Sequence, residues 1–411
     1  MKSSKCRFCR SEDLHDVIDL GKQPLANAFS GSANKSINLK RYDLKVVRCK
    51  RCNLCQLSEI VHWSEIYNNY SYLSSSSKPL VDHYKKLVSS LDASYSIKNS
   101  YILDVGCNDG ILLDCYDEIT PKNKRVGVDP SSVAKLAKEK GYQVFNSPLN
   151  LALSEQIILS VGNKFKIITF TNVFAHIDEI HEVMKSLSKL MNEDTILIIE
   201  APYLYEMLEN KYFDTIYHEH YSYLSLLPML LLMEEYKLEI FHVEHSNIGA
   251  SGPNLAYHVR FKTKNEYTEI IKTTIADELE KIKSGIFDNY QKSIEEWKKS
   301  LIELIDEEVK SGGVVGCVGS PAKGSTLLNF IFSPSNNKVE LISEVNPIKI
   351  NSYLPGLGIK IVSESEFDAR GITLAILLAW NYSDFFIEKY KQKQSSYKLL
   401  VPLPELNVYK N

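Results

Sequence analysis

The chain has 411 residues, of which 44% are hydrophobic and 24% are charged, so it holds enough apolar material for two or three well-packed domains. A formal net charge of −3 excludes the basic surface that proteins need to bind nucleic acid or anionic membranes. The longest apolar runs, such as residues 226–233, are too short for a bilayer, and the first residues lack a signal-peptide core, so we expect a cytoplasmic protein without a membrane partner.

Two pairs of cysteines near the N-terminus have the spacing of a zinc site. They are Cys6 with Cys9 and Cys49 with Cys52, and Cys55 follows as a spare candidate. One tight turn can aim both thiolates of a C-x2-C pair at the same ion, and two such turns complete a tetrahedral site. Four unrelated thiols would not explain this density. Because four protein ligands leave no open position, we expect a structural Zn²⁺ that stabilises a small β-hairpin module over residues 1–75.

Residues 100–203 alternate between short apolar runs and helical stretches. The predicted strands cover residues 101–105, 125–129, 142–145, 165–170 and 195–200, and the predicted helices cover 111–115, 132–140 and 179–191. This alternation is typical of a doubly wound parallel sheet, so the fold class is α/β.

The turn after the first of these strands has the form of a donor-binding loop. Residues 104–110 match the D-x-G-x-x-x-G pattern of the first loop in S-adenosylmethionine-dependent methyltransferases. Glycine allows close backbone approach, the Asp104 carboxylate can meet the cationic end of the donor, and Asp129 ends the next strand, where it can accept both ribose hydroxyls. NAD is the alternative, but its G-x-G-x-x-G fingerprint is absent. A glycine turn that only packs helix on sheet is the other alternative.

Residues 214–225 carry a run of proton-handling side chains that apolar packing does not require. Tyr217, His218, Glu219 and His220 are consecutive, and each would need its own polar partner if buried. Histidine titrates near neutral pH, and glutamate or tyrosine can orient it. Taken alone, the run is also compatible with a metal site or a satisfied polar network. His176, in the loop after the fourth predicted strand, is a further site candidate or a helix cap.

The remaining residues predict a helical segment and a second α/β unit. Residues 265–311 have apolar positions at helical spacing, which favours amphipathic helices packed on a neighbouring domain over a coiled-coil dimer. Residues 312–411 begin a new strand, turn and helix. Ser320, Lys323 and Gly324 lie in that turn, which suits phosphate oxygens but is equally compatible with a tight strand-to-helix turn and a solvated lysine.

Taken in order, these segments resemble the zinc-containing C-methyltransferases that methylate nucleotide-linked 4-keto-deoxysugars. The resemblance covers nearly the whole chain and includes the paired cysteines and residues 20–29, 70–75, 104–110, 172–176, 217–225, 321–329, 353–356 and 378–382. Members have an N-terminal zinc module, a central Rossmann-like donor domain and a C-terminal Rossmann-like domain that helps to hold the sugar nucleotide. The resemblance therefore implies a donor domain over residues 76–260, and a helical segment with the sugar-nucleotide domain over residues 261–411.

The same resemblance assigns roles to individual residues. It implies that His220 is the general base, with Tyr217, Glu219, His176 and Tyr72 as catalytic partners. S-adenosylmethionine is expected at Asp104, Gly106, Asn108, Gly110, Asp129 and Asn172. The sugar nucleotide is expected at Ser320, Lys323, Gly324, Asn329 and Tyr221. Glu344 departs from the pattern, since an aspartate often ends that strand.

The chemistry of these residue types fits methyl transfer to carbon. A carbon beside a ketone becomes acidic only when its enolate is stabilised, and a histidine can remove that proton near neutral pH. We expect a monomer whose zinc stays outside the chemistry. Two alternatives stay open: a methyltransferase that acts on oxygen or nitrogen, and a non-catalytic protein that binds sugar nucleotides.

Overall fold

Three β-sheets organise the chain in the computed structural model, which describes residues 4–67, 74–246, 252–263 and 266–411. The antiparallel first sheet has the order β1 (Leu14–Pro24), β2 (Arg41–Cys49), β3 (Cys55–Leu57) and β9 (Ser222–Tyr223). The central sheet has the order β10 (Leu238–Ser246), β11 (Asn254–Phe261), β8 (Ile196–Pro202), β7 (Phe165–Thr171), β4 (Tyr101–Val105), β5 (Arg125–Val128) and β6 (Gln143–Phe145). The third sheet has the order β14 (Lys360–Val362), β13 (Val339–Ser343), β12 (Val315–Val318), β15 (Leu374–Leu377), β16 (Lys398–Val401) and β17 (Asn407–Tyr409).

Helices connect and cover these strands. They are α1 (Ala33–Ile37), α2 (Trp63–Tyr67), α3 (Lys78–Tyr95), α4 (Ile111–Cys115), α5 (Ala134–Glu139), α6 (Leu151–Val161), α7 (Ile180–Leu190), α8 (Leu204–Glu209), α9 (Leu226–Glu235), α10 (Glu269–Lys283), α11 (Tyr290–Lys310), α12 (Ala322–Ile331), α13 (Glu364–Ala369) and α14 (Ser383–Lys393). No helix in the described ranges combines the length and apolarity that a membrane crossing requires.

The central sheet confirms the predicted α/β class. Strands β4 to β8 are mutually parallel, and β11 enters antiparallel between β8 and β10. Ile102, Leu103, Ile167 and Ile168 are fully buried, as expected for strands with helices on both faces. The carboxyl ends of these strands therefore gather at one edge, where ligands bind in sheets of this kind.

The third sheet repeats the plan of the central one. If the strands of each unit are numbered in chain order, the five parallel strands of both sheets have the spatial order 3-2-1-4-5. An antiparallel strand then pairs with the fifth, β11 with β8 in the central sheet and β17 with β16 in the third. The turn after β12 thus occupies the same place as the donor-loop candidate after β4. The two units share a topology although their sequences show no repeat.

The predicted helical segment consists of two helices, α10 and α11. Gly285, with a φ of 77°, separates α10 from α11 in a backbone conformation that favours glycine. Helix α10 packs on α9 and β10, whereas α11 packs against β1 and β12. The indole of Trp297 on α11 donates to the carbonyl of Pro402 at 2.8 Å. Helix α11 therefore joins the first sheet to the third.

Strand β9 links the His-Glu-His run to the first sheet. Ser222 and Tyr223 pair with Gln56 and Cys55 of β3, although more than a hundred residues separate the strands in sequence. The amide of Tyr221 also donates to the carbonyl of Ala175, at 2.9 Å, in the His176 loop. The predicted domain limits stay predictions, and β9 shows that the first sheet draws residues from both sides of the limit at residue 75.

Candidate active site and zinc centre

The four predicted cysteine ligands lie together. The sulfur atoms of Cys6, Cys9, Cys49 and Cys52 are all within 4.8 Å of one another, with Cys6 to Cys52 and Cys9 to Cys49 at 3.5 Å. A tetrahedral zinc with Zn–S bonds of about 2.3 Å places its sulfurs about 3.8 Å apart, so this set fits the ion. Fully buried Cys55 lies on β3 outside the cluster. The centre is a four-cysteine zinc site with no open position, and it is therefore structural.

A cavity of about 1900 Å³ lies where three units of the chain meet, namely the N-terminal unit with the first sheet, the central unit with the second sheet and the C-terminal unit with the third sheet. Ten of the predicted site residues line it: Gly106, Asn108, Asp129, Asn172, His176, Tyr217, Glu219, His220, Ser320 and Lys323. They come from the central unit, from the run that precedes β9 and from the turn after β12. The fold therefore brings the donor loop, the proton-handling run and the C-terminal loop to one chamber.

The donor loop is held by Asp129 at the end of β5. The carboxylate accepts from the Asn108 amide at 2.8 Å, the Ser131 amide at 2.7 Å and the Ser131 hydroxyl at 2.6 Å. Two carboxylate oxygens offer about four acceptor positions, so one position is left for a hydroxyl in the cavity. Gly106 has a φ of 83°, and a Cβ there would stand 2.1 Å from the Val173 side chain. Glycine is thus required for the turn itself.

The surroundings of Asp129 suit an adenosyl group. Val128, Pro130, Leu149 and Phe170 line the adjoining wall and offer apolar surface to a flat base. Together with the free acceptor position of Asp129, they fit the adenosyl part of S-adenosylmethionine.

Asp104 and Gly110 lie behind the wall and do not line the cavity. The Asp104 carboxyl accepts from the Thr169 hydroxyl at 2.7 Å. Burial raises the pKa of Asp104 to about 7, the Thr169 hydrogen bond opposes the shift, and the charge of Asp129 adds to it. Gly110 precedes α4 with a φ of 83° and packs beside Ala137. In this structure both residues shape the loop.

The hydrogen bonding of His220 assigns its tautomer. Nδ1 lies 2.7 Å from the carbonyl oxygen of Thr215, which can only accept, so Nδ1 carries the proton and donates. Nε2 then holds the free lone pair. Burial lowers the pKa of His220 to about 4, and the Thr215 carbonyl opposes part of that shift. The imidazole is therefore neutral at pH 7 and able to accept a proton at Nε2.

The rings of His176 and Tyr217 both pack against the ring of His220. The His176 and His220 ring centres are 4.8 Å apart, and those of Tyr217 and His220 are 4.2 Å apart. Burial, followed by the charge of His220, holds the pKa of His176 well below its usual value. These contacts fix the plane of the His220 ring against the cavity wall.

Glu219 is influenced by one residue from each of the other two units. Its carboxyl accepts from the Asn27 side-chain amide at 2.7 Å. Burial raises the pKa of Glu219 to about 7, opposed by that hydrogen bond and by the charge of Lys349. Near neutral pH, Glu219 can therefore carry a proton and donate a hydrogen bond.

In the C-terminal loop, Ser320 is already bonded to a carboxylate. Its amide and hydroxyl both donate to Glu344, at 3.0 Å and 2.5 Å, and its carbonyl accepts from Lys349 at 2.7 Å. Burial alone would raise the pKa of Glu344, but the Lys349 charge and the Ser320 hydrogen bonds outweigh it and lower the pKa. The negative charge of Glu344 would repel a phosphate at this turn, and the Ser320 amide is already used by Glu344. Phosphate binding here would therefore depend on the neighbouring lysines rather than on the Ser320 amide.

Lys323 is a buried lysine at the start of α12. Its ammonium donates to the Asn381 side chain and lies 3.8 Å from the centre of the Trp380 ring. Burial lowers the pKa of Lys323 to about 7, and the charge of Asp214 opposes the shift. The lysine is therefore not a solvated surface side chain.

Three predicted substrate residues do not line the cavity. Tyr221 donates to the Val61 carbonyl at 2.9 Å. A Cβ on Gly324 would stand 2.8 Å from the Leu378 side chain, so this glycine allows helix α12 to approach. Asn329 donates to the Ser325 and Pro355 carbonyls, both at 2.9 Å. Tyr72 lies outside the described residues.

Several cavity residues were not predicted from the sequence. Asn27 lies in residues 20–29, which belong to the resemblance, but the sequence assigned it no role. No motif or spacing in the sequence pointed to Lys349. His83 on α3 also lines the cavity and bonds the Glu200 carboxylate at 2.8 Å and 3.0 Å. The position of Glu200 at a strand end was the one sequence signal that could have indicated this pair.

Comparison with known proteins gives matches along the whole chain. Family models match a zinc binding domain at residues 6–67, a methyltransferase domain at 82–243 and a C-methyltransferase C-terminal domain at 250–404. The C-methyltransferase NovU of Streptomyces niveus is 28% identical over 409 residues, covering 98% of this chain and 96% of NovU.

Solved structures match over about half of the chain. A methyltransferase from Anabaena variabilis has a TM-score of 0.36 at 16% identity, covering 49% of this chain and 92% of that one. The magnesium protoporphyrin IX methyltransferase of Synechocystis has a TM-score of 0.35 at 16% identity, covering 49% and 93%. These scores are too low to inform the site. The ordered family matches and the four-cysteine cluster identify the chain as a member of the zinc-containing C-methyltransferases, enzymes that use S-adenosylmethionine as methyl donor.

Proposed function

We propose that the enzyme deprotonates the carbon next to the ketone of a nucleotide-linked 4-keto-deoxysugar and methylates that carbon, in the biosynthesis of a branched deoxysugar. The observation that carries this proposal is the His220 tautomer. Nδ1 is committed to the Thr215 carbonyl, so Nε2 is the basic atom in a cavity that also contains the donor loop. A base is required for transfer to carbon, because a C–H proton must leave before the carbon becomes nucleophilic.

The neighbours of His220 suit an enolate. The proton moves from carbon to Nε2, and the electron pair it leaves is shared with the ketone oxygen. Glu219, with its raised pKa, can donate a hydrogen bond to that oxygen while Asn27 holds its other side. S-adenosylmethionine, when bound, supplies the methyl group and takes back the electron pair of the broken C–S bond. Aligning the carbon with that methyl group is the main task of the cavity walls.

The nucleotide part of the substrate is proposed to lie along the C-terminal unit. Ser320, Lys323, Glu344, Asn346 and Lys349 line that side of the cavity. Lys323 and Lys349 supply positive charge for a diphosphate, and the Glu344 carboxylate can accept from sugar hydroxyls. One chain contributes all of these groups, which supports a monomer as the working unit.

Methyl transfer to a panel of nucleotide-linked sugars tests the proposal. We expect a 4-keto-deoxysugar to gain the mass of one methyl group in the presence of S-adenosylmethionine. In D₂O without the donor, the same carbon should exchange its proton for deuterium. Sugars reduced to the 4-hydroxyl are the matched controls and should do neither. If the donor binds but no 4-keto sugar is methylated or exchanged, the proposal is wrong.

The pH dependence of kcat/KM can distinguish the two candidate bases. Either base must be unprotonated, so activity falls as the pH drops through its pKa in the free enzyme. The pKa of His220 is lowered to about 4, whereas that of Glu219 is raised to about 7. If His220 is the base and protonated Glu219 donates to the enolate oxygen, we expect kcat/KM to rise as the pH drops from 8 to about 6, measured with zinc content checked at each pH. A fall centred near pH 7 would instead make Glu219 the base.

Removing the charge of Asp129 should weaken donor binding. Asp129→Asn loses the anionic acceptor proposed for the ribose hydroxyl, and we expect the Kd for S-adenosylmethionine to rise about tenfold by calorimetry. Glu139→Gln removes the same charge from exposed helix α5 and should leave the Kd unchanged. An unchanged Kd in Asp129→Asn would place the donor elsewhere.

A further inference from the structure

A group of metal-ligating side chains lies on the β10–β11 hairpin, outside the cavity. His242 on β10 stands directly opposite His258 on β11, and Glu244 follows two residues later on the same face of β10. The ligand atoms of these three residues all lie within 4.8 Å of one another. The two imidazole rings are 5.0 Å apart between centres and nearly perpendicular.

His258 is the fixed member of this group. Its side chain is 3% exposed, and its Nε2 atom is buried with no hydrogen-bond partner. Nδ1 lies 2.5 Å from the hydroxyl of Tyr95, the last residue of α3. With Nδ1 donating to that hydroxyl, the lone pair of Nε2 is left for another ligand. Histidines that bind metals are oriented by a hydrogen bond at the other nitrogen in this way.

We propose that His242, Glu244 and His258 bind a divalent transition-metal ion, for which Zn²⁺ is the test ion, at a second site separate from the four-cysteine centre. Two imidazoles and one carboxylate form a ligand set that zinc uses when it keeps an open position. Ligand atoms around a tetrahedral zinc lie about 3.4 Å apart, so the group must contract slightly. His242 and Glu244 are exposed and can rotate toward His258.

The charges around the group allow a cation. Arg260, two residues after His258 on β11, is a positive side chain near the group, and its guanidinium is already paired with Glu239 at 2.8 Å. An ion at this place would join the edge strand β10 to β11 and, through His258 and Tyr95, to α3. The expected consequence is a more stable hairpin. The hairpin also carries His245 and Ser246, which line the cavity.

Zinc titration of the full-length protein tests this site. Protein that already holds the four-cysteine zinc is titrated with Zn²⁺ against a chromogenic chelator, and we expect a second ion per chain. His242→Ala and Glu244→Gln, both at exposed positions, should each weaken that second ion at least tenfold and keep the first. His15→Ala removes an exposed histidine from β1 and should change neither. Added Zn²⁺ should raise the Tm of the parent protein and of His15→Ala only.

Two outcomes would overturn the proposal. One is a stoichiometry that stays at a single zinc per chain at every Zn²⁺ concentration, which would leave the group as an aromatic and polar cluster. The other is a second ion whose affinity is the same in His242→Ala, Glu244→Gln and the parent protein. Neither outcome depends on methyl transfer, so the result is independent of the proposed function.

Discussion

Replacing His220 with asparagine is expected to lower kcat by about 10³-fold, because a positioned general base contributes about 10² to 10⁴ to such a proton transfer. The asparagine amide can still donate to the Thr215 carbonyl where Nδ1 does, but it places no basic atom at the position of Nε2. Binding of S-adenosylmethionine should be retained. The measurements are methyl transfer to the 4-keto sugar and deuterium exchange at its acidic carbon, and both should fall together.

His218→Asn is the matched control for this experiment. His218 is also buried and its pKa is lowered to about 4 by burial, but its ring lies against Tyr42 and does not line the cavity. We expect its kcat to stay within about threefold of the parent enzyme once loss of folded protein is corrected. Deuterium exchange at the parental rate in His220→Asn would show that another group removes the proton.

Loss of the structural zinc should abolish activity although zinc takes no part in the chemistry. Cys49→Ser removes one of four ligands, and we expect one zinc fewer per chain, loss of nearly all methyl transfer and a free energy of unfolding lower by more than about 4 kcal/mol. The reason is that the first sheet positions the segment that contains Glu219 and His220 through two separate contacts. Asn27 bonds Glu219, and β3 pairs with β9, which begins two residues after His220.

Cys55→Ala separates this effect from the general cost of losing a buried thiol. Cys55 is fully buried beside the cluster but is not one of its ligands, so its zinc content and most of its activity should be kept. Cadmium, another ion that thiolates bind well, should restore activity to metal-depleted protein if the centre is structural. Activity that survives zinc loss in folded Cys49→Ser protein would contradict the proposed role.

The sequence predicted the elements of the fold better than their long-range pairing. All five predicted strands of residues 100–203 are present, and β4 begins and ends where expected, because apolar runs and glycine turns are local signals. Strand β9 was missed, since two residues carry no periodicity. Helix α6 was also missed. It is apolar on most sides and lacks a polar stripe that would mark it.

In the candidate site, too, the individual residues were predicted better than the long-range contacts between them. Ten residues picked out by motif or resemblance line one cavity, and their catalytic and binding roles stay predictions. Motifs marked residues near the ends of strands, where the fold reliably gathers side chains. The hydrogen bond from Asn27 to Glu219 and the influence of the Lys349 charge on Glu219 could not be predicted, because they depend on how the three units pack rather than on any local pattern.

The dependence of Glu219 on the Asn27 hydrogen bond and on the Lys349 charge has a consequence for engineering. The acidity of one side chain is set by groups that three separate parts of the gene encode, so exchanging a whole unit with that of a relative would change proton transfer as well as substrate choice. A chimera that imports the C-terminal unit needs a cation at position 349 beside Glu219, and one that imports the zinc module needs an amide at position 27. Recombination at the domain limits alone does not preserve this arrangement.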